Sequence, residues 1–497
     1  MGSIKVGWAS RNISTDRPVN LPGQFYMRPS KGVKDPIYAN ALVLDDGEDI
    51  VTFLSLDMVV IRHGLLDDIR SEVSYRSPDF PIEKIIVNAT HTHCGPSISD
   101  EALTMNKDEL SKLGVELASS DEYRNFLIKR CVDAILESYN NREEGGIAYG
   151  YGYAVVGHSR RVVYFDDISK RGGSVDGYAI DGHAKMYGNA NDDRFSHYEA
   201  GADHFINLLY TFDKNDKLTG AIINVPAPSQ NSEHEYMLTA DFWHDAREII
   251  RGTHGDIHIL PQCAAAGDLA PRILHYKQAQ DRRFKLKYGE LAVEDAARRD
   301  IAERISKAFD EVFSWARKDI KTDVSVVHEV ETVHLTKRRI SQTELEFAQK
   351  SLKDLENTET IIDSDSPVDI IASISKFRAQ KNRFKRIIDR FNEQDNEPKL
   401  PMELHVVKVG EVAFATNRFE LYMDYMHRIQ ARSPFMQTFI VQLAGVSGDD
   451  GGTYLATERG ADNKGYSACM FCNLVSPEGG QELVDETVKM LRKIANK

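Results

Sequence analysis

The chain has 497 residues, of which 41% are hydrophobic and 28% charged, so it is long enough to bury a large core. Its formal net charge of -14 and pI near 5.6 exclude nucleic acid and anionic membrane surfaces as main partners, because both require a basic face. No apolar run approaches the roughly 18 residues needed to span a bilayer, so we expect no integral membrane contact.

Cysteine usage and the start of the chain bear on the compartment. The five cysteines are an odd number and widely scattered, so they predict no disulfide framework and favour a reducing compartment. Cys469 and Cys472 form the one close pair, and a structural zinc site there would need two more ligands. The first residues lack the apolar segment of a signal peptide. We expect a soluble protein and favour the cytoplasm as its location. A homo-oligomer is compatible with the sequence.

Helical and strand patterns alternate along the chain, which predicts a mixed α/β fold of packed sheets and helices. The predicted strands lie at 37–44, 50–56, 85–87, 218–225, 403–409, 412–416 and 439–443. The predicted helices lie near 61–76, 121–140, 239–251, 341–355, 368–392 and 480–494. An Asp-Asp-Gly turn at 45–47 predicts a hairpin between the first two strands. Asp57, at the end of the second strand, is either a turn cap or a partner of a ligand histidine.

The segment 88–97, Asn-Ala-Thr-His-Thr-His-Cys-Gly-Pro-Ser, follows the apolar run 85–87 and delivers two histidines to a loop. At a strand end such a pair lies on opposite faces or fans around a bend, so one ring can bind a metal while the other faces substrate. The alternative is that His91 and His93 are surface histidines.

This segment resembles the His-Thr-His-Ser-Gly-Pro motif of neutral (non-lysosomal) ceramidases, zinc-dependent amidohydrolases that cleave the N-acyl bond of ceramide. Cys94 stands where the family has serine. The resemblance covers nearly the whole chain, and its specific motifs lie at 88–97, 260–272, 417–422 and 448–458. It implies one layered sheet-and-helix catalytic domain over 1–497. The chain would be a divergent member of the family, with a helical pair inserted at 340–400 and no C-terminal β-sandwich.

The resemblance implies a metal site. His91, Glu420 and Tyr454 stand where the family has three of its zinc ligands, in the motifs at 88–97, 417–422 and 448–458. Such a mixed nitrogen and oxygen set suits Zn²⁺, with Mn²⁺ or another divalent ion as alternatives.

The family's second zinc histidine directly precedes a proline, and here Ala227 precedes Pro228. His234 is the residue that we expect to reach back from the same loop, with Gln230 and His244 as weaker alternatives. If His234 does not, the open face of the metal is larger and harder ions such as Mn²⁺ are favoured.

The nucleophilic serine of the family is also absent. Ceramidases carry Gly-Asp-Val-Ser-Pro where this chain has Gly-Asp-Leu-Ala-Pro, so Ala270 replaces the serine and cannot attack a carbonyl. Metal-activated water is the nucleophile that remains, with Asp268 or His93 as general base or acid. The segment 157–164 resembles the ceramidase stretch that carries an active-site arginine, so Arg160 or Arg161 is expected to hold a substrate oxygen or anionic group; a structural arginine is the alternative.

Two further regions bear on the substrate. Residues 145–201 are rich in tyrosine, glycine, histidine and aspartate, which predicts loops over a strand framework that suit a small polar or glycan-type ligand. The predicted helix at 368–392 carries a basic face, which we interpret as a solvated face of the inserted helical pair rather than a membrane or partner surface.

The sequence thus favours a metal-dependent hydrolase of an amide or ester bond in a polar, sugar-containing or similar substrate. Two alternatives stay open: a carbohydrate-active glycoside hydrolase or lyase that uses the same metal site, and a binding protein that kept the fold and lost the chemistry.

Overall fold

The computed structural model describes residues 4–172, 180–358, 362, 364–448 and 453–497, so part of the glycine-rich segment at 448–453 lies outside the described residues. The strands are β1 (Lys5–Asn12), β2 (Tyr38–Asp45), β3 (Ile50–Leu56), β4 (Ile85–Ala89), β5 (Glu143–Tyr153), β6 (His158–Ser159), β7 (Arg161–Tyr164), β8 (Ala184–Met186), β9 (Phe195–Tyr198), β10 (Phe205–Asp213), β11 (Leu218–Val225), β12 (His258–Cys263), β13 (Leu269–Ala270), β14 (Val326–Thr336), β15 (Lys399–Val409), β16 (Val412–Thr416), β17 (Glu420–Leu421), β18 (Gln437–Val441) and β19 (Tyr454–Leu455). The helices are α1 (Leu65–Arg76), α2 (Lys107–Ser111), α3 (Ser120–Asn140), α4 (Phe242–His254), α5 (Lys277–Tyr288), α6 (Val293–Ala316), α7 (Gln342–Glu356), α8 (Pro367–Glu393), α9 (Met423–Arg432), α10 (Glu458–Asn463) and α11 (Pro477–Ala495).

Two sheets stack face to face at the centre. The larger has eight strands in the order β12-β11-β10-β5-β1-β2-β3-β4, and the smaller has four in the order β14-β15-β16-β18. Side chains alternate along each strand, so Phe53 of β3 packs against Phe414 of β16 between the sheets, while Leu54 points into the core on the other side. The period of two in the sequence therefore produces two separate apolar layers.

Helices cover both outer faces. The apolar sides of α1, α3, α4 and α6 pack on the far face of the larger sheet, and α9 and α11 pack on the far face of the smaller one. The result is a four-layer α/β/β/α arrangement, which confirms the mixed α/β fold class. Within the described residues, no helix is both long and apolar enough to cross a bilayer.

Local sequence signals give most of these elements, with one correction at Asp57. The hairpin at 45–47 joins β2 and β3 in antiparallel register, with Asp45 opposite Ile50. The region 145–201, predicted to be loops over a strand framework, contains much of β5 and all of β6 to β9 in its described part. Asp57 is neither a turn cap nor a partner of a histidine: its buried carboxylate pairs with Arg247, at 2.7 and 3.1 Å, and accepts the Tyr38 amide.

The carboxyl ends of three pairs of parallel strands meet in one region of the molecule. The pairs are β3 with β4, β11 with β12, and β16 with β18. The loops that leave them bond to one another: Ala89 N donates to Leu443 O, Gln442 N to Cys263 O, and Ala264 N to Val225 O. Ligand sites form where such loops converge beyond the carboxyl ends of strands. The helical pair α7 and α8 lies between β14 and β15, within the 340–400 segment, and the assignment of the whole chain to one domain stays a prediction.

Candidate functional site

The side chains of the two histidines after β4, His91 and His93, point into the same buried region. His91 has a φ of 64°, in the left-handed region that ordinary residues rarely adopt, and this turn fans the two rings to an edge-to-face contact at 4.9 Å. His91 Nδ1 donates to Val59 O at 2.6 Å, which directs Nε2 toward the neighbouring side chains. That Nε2 lies 3.4 Å from His93 Nε2 and 3.5 Å from Glu420 Oε2.

Glu420 and Tyr454 come together because β17 and β19 pair in parallel with these two residues opposite each other. Burial by itself would raise the pKa of Glu420, but neighbouring His91 and Arg160 hold it below its usual value, so the carboxylate is anionic. Burial raises the pKa of the Tyr454 phenol well above its usual value. Gly267 lies so close that a Cβ there would be 2.3 Å from Glu420 O, so a side chain at this position would displace Glu420.

Arg160 is fully buried behind this pair. Its Nη2 lies 3.3 Å from both Glu420 Oε2 and Tyr454 OH, and it donates to Gly267 O at 2.9 Å. Arg161 points elsewhere: it makes a two-pronged ion pair with Glu199 and donates to backbone carbonyls of the 460–466 region. Arg160 therefore lies against the group formed by His91, His93, Glu420 and Tyr454, which we call the cluster. Arg161, the other candidate, holds the surrounding loops together.

Gln230 fixes the protonation state of His93. The Arg160 guanidinium can only donate, so the Gln230 Oε1 faces it at 3.2 Å and the amide nitrogen faces His93 Nε2 at 2.7 Å. His93 Nε2 must then accept, which makes the ring the neutral Nδ1–H tautomer. Burial, followed by the charges of neighbouring residues, holds the pKa of His93 well below its usual value. Gly23 packs on this ring so tightly that a Cβ would lie 2.5 Å from Nδ1.

Asp268 is buried beside the cluster but its carboxylate faces a helix. Its Oδ1 accepts the Met423 amide at 3.0 Å at the start of α9. Burial raises the pKa of Asp268 to about 6. Ala270 lies in β13, fully buried and paired with His158, so it contributes neither a nucleophile nor a polar group.

Of the loop residues proposed to replace the missing histidine, His234 and His244 do not join His91, whereas Gln230 contacts His93. The His234 side chain is 70% exposed, and its Nε2 lies 3.7 Å from Glu233 Oε1. Glu233 separates it from the cluster, because the other carboxylate oxygen lies 3.7 Å from His93 Nδ1. His244 is on α4 and lines a different cavity, beside Arg298. Sequence reasoning placed His234 by its distance along the loop, which says nothing about the direction that the loop takes.

Among the residues described here, no group of three or more histidine, cysteine, aspartate and glutamate side chains could hold a metal ion by these donors alone. The cluster has His91 and Glu420 as such donors, with the Tyr454 phenol beside them. The Cys469 and Cys472 thiols are free and 3.7 Å apart, and Cys472 lies in the cavity wall.

A cavity of about 290 Å³ opens in front of the cluster. His91, His93, Glu420 and Tyr454 lie in its wall, and the opposite side comes from the residues around Phe25 and from α8. Four arginines also line it, Arg62, Arg383, Arg386 and Arg390. The last three are on α8. Two arginines of the basic face interpreted as solvated, Arg383 and Arg386, therefore border the cavity, while Lys376 and Lys385 of that face are exposed. The spacing of the three arginines was the sequence signal available.

Solved structures of ceramidases share this fold. The chain aligns over 100% of its length with 75% of the neutral ceramidase from Pseudomonas aeruginosa, with a TM-score of 0.67 and 15% identity. It aligns equally fully with 76% of a ceramidase complexed with C2, with a TM-score of 0.65 and 13% identity. No protein-family model and no curated protein matches the sequence. The predicted likeness to ceramidases is therefore confirmed at the level of the fold.

Proposed function

We propose that this protein is a metal-dependent hydrolase that cleaves an amide or ester bond in a small polar substrate. His91, Glu420 and Tyr454 would hold Zn²⁺, or another divalent ion such as Mn²⁺, at the inner end of the cavity. The convergence of these three side chains, from three distant parts of the chain, on one wall of a cavity is the observation that carries the proposal. The ceramidase fold of the structural neighbours supports a hydrolase.

His91 and Glu420 fit a divalent ion in orientation and spacing. Metal-bound histidines usually donate their other ring N–H to a carbonyl or carboxylate, as His91 does to Val59 O. Two ligands with bonds of about 2.0 Å to a tetrahedral ion are about 3.3 Å apart, close to the 3.5 Å between His91 Nε2 and Glu420 Oε2. Ala227 provides no donor, so at least one further position would be open to water or substrate.

When bound, the ion would lower the pKa of a coordinated water toward about 7 and so provide hydroxide near neutral pH. The chain itself orients the groups around it. Arg160 fixes Glu420 and Tyr454 from behind, and Gln230 keeps His93 neutral with its Nδ1 proton toward Glu233. Since Ala270 has no nucleophilic atom, water is the nucleophile that this arrangement favours.

Metal content tests the ligand set directly. Elemental analysis of the purified protein should find about one divalent ion per chain, and His91→Ala and Glu420→Ala should each lose it. His234→Ala is the matched control, because it removes an exposed histidine near the same cavity and should keep the metal. Equal metal in all four proteins would refute the site.

Substrate class is tested by turnover. We propose that long-chain ceramide is a poor substrate, because Ala270 replaces the nucleophile and four arginines line the cavity. A screen of amides and esters with the metal-loaded protein should find hydrolysis of polar substrates and little release of fatty acid from ceramide. Efficient ceramide hydrolysis by the unchanged protein would contradict this.

A binding protein without catalysis is the second candidate, and the position of Arg160 favours it. A fixed guanidinium 3.3 Å from both Glu420 and Tyr454 can neutralise the carboxylate without any metal. Metal-free protein that retains no ion after incubation with Zn²⁺ or Mn²⁺ would support this candidate over the hydrolase.

A further inference from the structure

Three arginines from one helix, α8, line the cavity. Arg383, Arg386 and Arg390 of α8 follow at intervals of three and four residues, which places them on one helical face. All three line the same cavity as His91 and Glu420. The helix therefore presents a row of guanidinium groups to whatever occupies the space in front of the cluster.

Two of these guanidinium groups, those of Arg383 and Arg390, are held in place without carboxylate partners. Arg383 lies between two aromatic rings, 4.6 Å from the Phe25 centroid and 4.8 Å from the Phe471 centroid. Arg390 donates to the backbone carbonyls of Met470, Asn473 and Arg338, and burial lowers its pKa to about 10, which leaves it protonated near neutral pH.

Arg386 makes no hydrogen bond or ion pair with any residue that the structure describes. Glu101, an acidic residue of the cavity wall on which the charge of Arg386 acts, is already paired with Arg62 at 3.2 Å. The Arg386 side chain is exposed at the opening.

The charge of the cavity wall opposes that of the whole protein. Its charged residues are four arginines and two glutamates, a balance of +2, whereas the chain carries -14. Because Glu420 lies at the inner end with the proposed metal ligands, the surplus positive charge lies at the mouth. A positive mouth on an acidic protein attracts an anion and repels a cation.

We propose that the substrate carries an anionic group, a carboxylate or a phosphoryl or sulfuryl oxyanion, that Arg383 and Arg386 bind at the mouth of the cavity. This inference rests on the proposed function, because it places the bond to be cleaved at His91, Glu420 and Tyr454 and the anionic group at the opposite end. The planar guanidinium matches the two oxygens of such an anion. The aromatic contacts of Arg383 restrict its motion, so little further order is lost on binding. A neutral acyl chain would leave both cations without a partner.

Anion binding is measured first, without any need for turnover. Thermal unfolding of the full chain is followed in phosphate, sulfate and succinate at constant ionic strength, with sodium chloride as the baseline. Wild type should be stabilised by at least one of these anions, and an Arg383→Gln/Arg386→Gln double variant should bind it about tenfold more weakly. Which anion acts identifies carboxylate or phosphoryl and sulfuryl chemistry.

Lys385→Gln is the matched control. Lys385 is an exposed cation on the same helix, next to Arg386, and it does not line the cavity. It should bind the anion as wild type does. Equal stabilisation of the double variant, or no stabilisation of wild type by any of the three anions, would overturn the proposal.

Turnover then separates this inference from the proposed function. N-acetyl amino acids and their C-terminal amides form substrate pairs that differ in one negative charge. Where the wild type hydrolyses them, it should prefer the free acid through a lower KM, and the double variant should lose about tenfold of that preference with kcat little changed. Hydrolysis without any preference, together with unchanged anion binding, would refute the anion site and keep the hydrolase. Arginine-dependent anion binding without hydrolysis of any amide or ester would refute the hydrolase and keep the anion site.

Discussion

Replacing Asp268 by asparagine is expected to stabilise the folded protein near neutral pH. Burial raises the pKa of Asp268 to about 6, from the usual 3.8, so between these values the folded chain holds a proton that the unfolded chain releases. A carboxyl with a raised pKa therefore costs stability as the pH rises through this window. At about 1.4 kcal/mol per pKa unit, the cost above pH 6 reaches about 3 kcal/mol.

Asparagine keeps the shape and the acceptor for the Met423 amide but cannot ionise. We expect Asp268→Asn to raise the free energy of unfolding by about 3 kcal/mol at pH 8 and to leave it unchanged at pH 4. Urea-induced unfolding, followed by tryptophan fluorescence at both pH values, measures the difference. Asp424→Asn is the control. Asp424 is on α9 and its side chain is one third exposed, so this change should alter stability by less than about 1 kcal/mol.

Equal gains at pH 4 and pH 8, or a loss at pH 8, would refute this account of Asp268. The same variant also tests the role of Asp268 as general base or acid. If its carboxylate only accepts the Met423 amide at the start of α9, turnover of a substrate found in the screen should persist in Asp268→Asn. A loss of turnover by a factor of about 100 or more, with folding intact, would instead make Asp268 a proton-transfer residue.

Three other substitutions test how the site is supported. Arg247→Ala should cost about 3–5 kcal/mol of stability, because it leaves the Asp57 carboxylate buried without its partner; a urea midpoint near that of wild type would contradict this. Arg161→Lys loses the two-pronged contact with Glu199 and should lower the free energy of unfolding by about 2 kcal/mol, with metal content unchanged; loss of metal would show that Arg161 acts on the cluster. Ser341→Ala removes the N-cap of α7 and should cost about 1 kcal/mol, visible as faster hydrogen exchange in that helix alone; exchange unchanged there would exclude a capping role.

Elements with local signals could be predicted from the sequence. The turn at 45–47 and the helix near 341–355, whose capping box begins with Ser341, each depend on residues within a few positions. The same holds for the pair of histidines at a strand end, since the strand, the loop and the two rings are all within ten residues. Such features can be predicted because residues that are close in the sequence determine them.

Features that depend on distant partners could not be predicted. Asp57 pairs with Arg247, 190 positions away, and nothing near Asp57 in the sequence indicates that partner. Arg383 and Arg386 look like other residues of the basic face of α8 until the fold places them beside the cavity. The separation of Arg160 from Arg161 follows from strand alternation, but which of them faces the cluster depends on how β6 and β7 meet the rest of the fold.

The point at which the helical pair enters the fold has an evolutionary consequence. Thr336 and Lys399 are opposite each other at the end of the β14–β15 ladder, so α7 and α8 together form an elaborated hairpin connection whose two ends the sheet fixes. The cluster around His91 is built on other loops. A lineage could therefore shorten, lengthen or replace this connection, and with it the arginines at the mouth, without rebuilding the reactive centre. Relatives of this fold that differ in the length or charge of this one connection should differ in the ligands they accept while they retain the same central side chains.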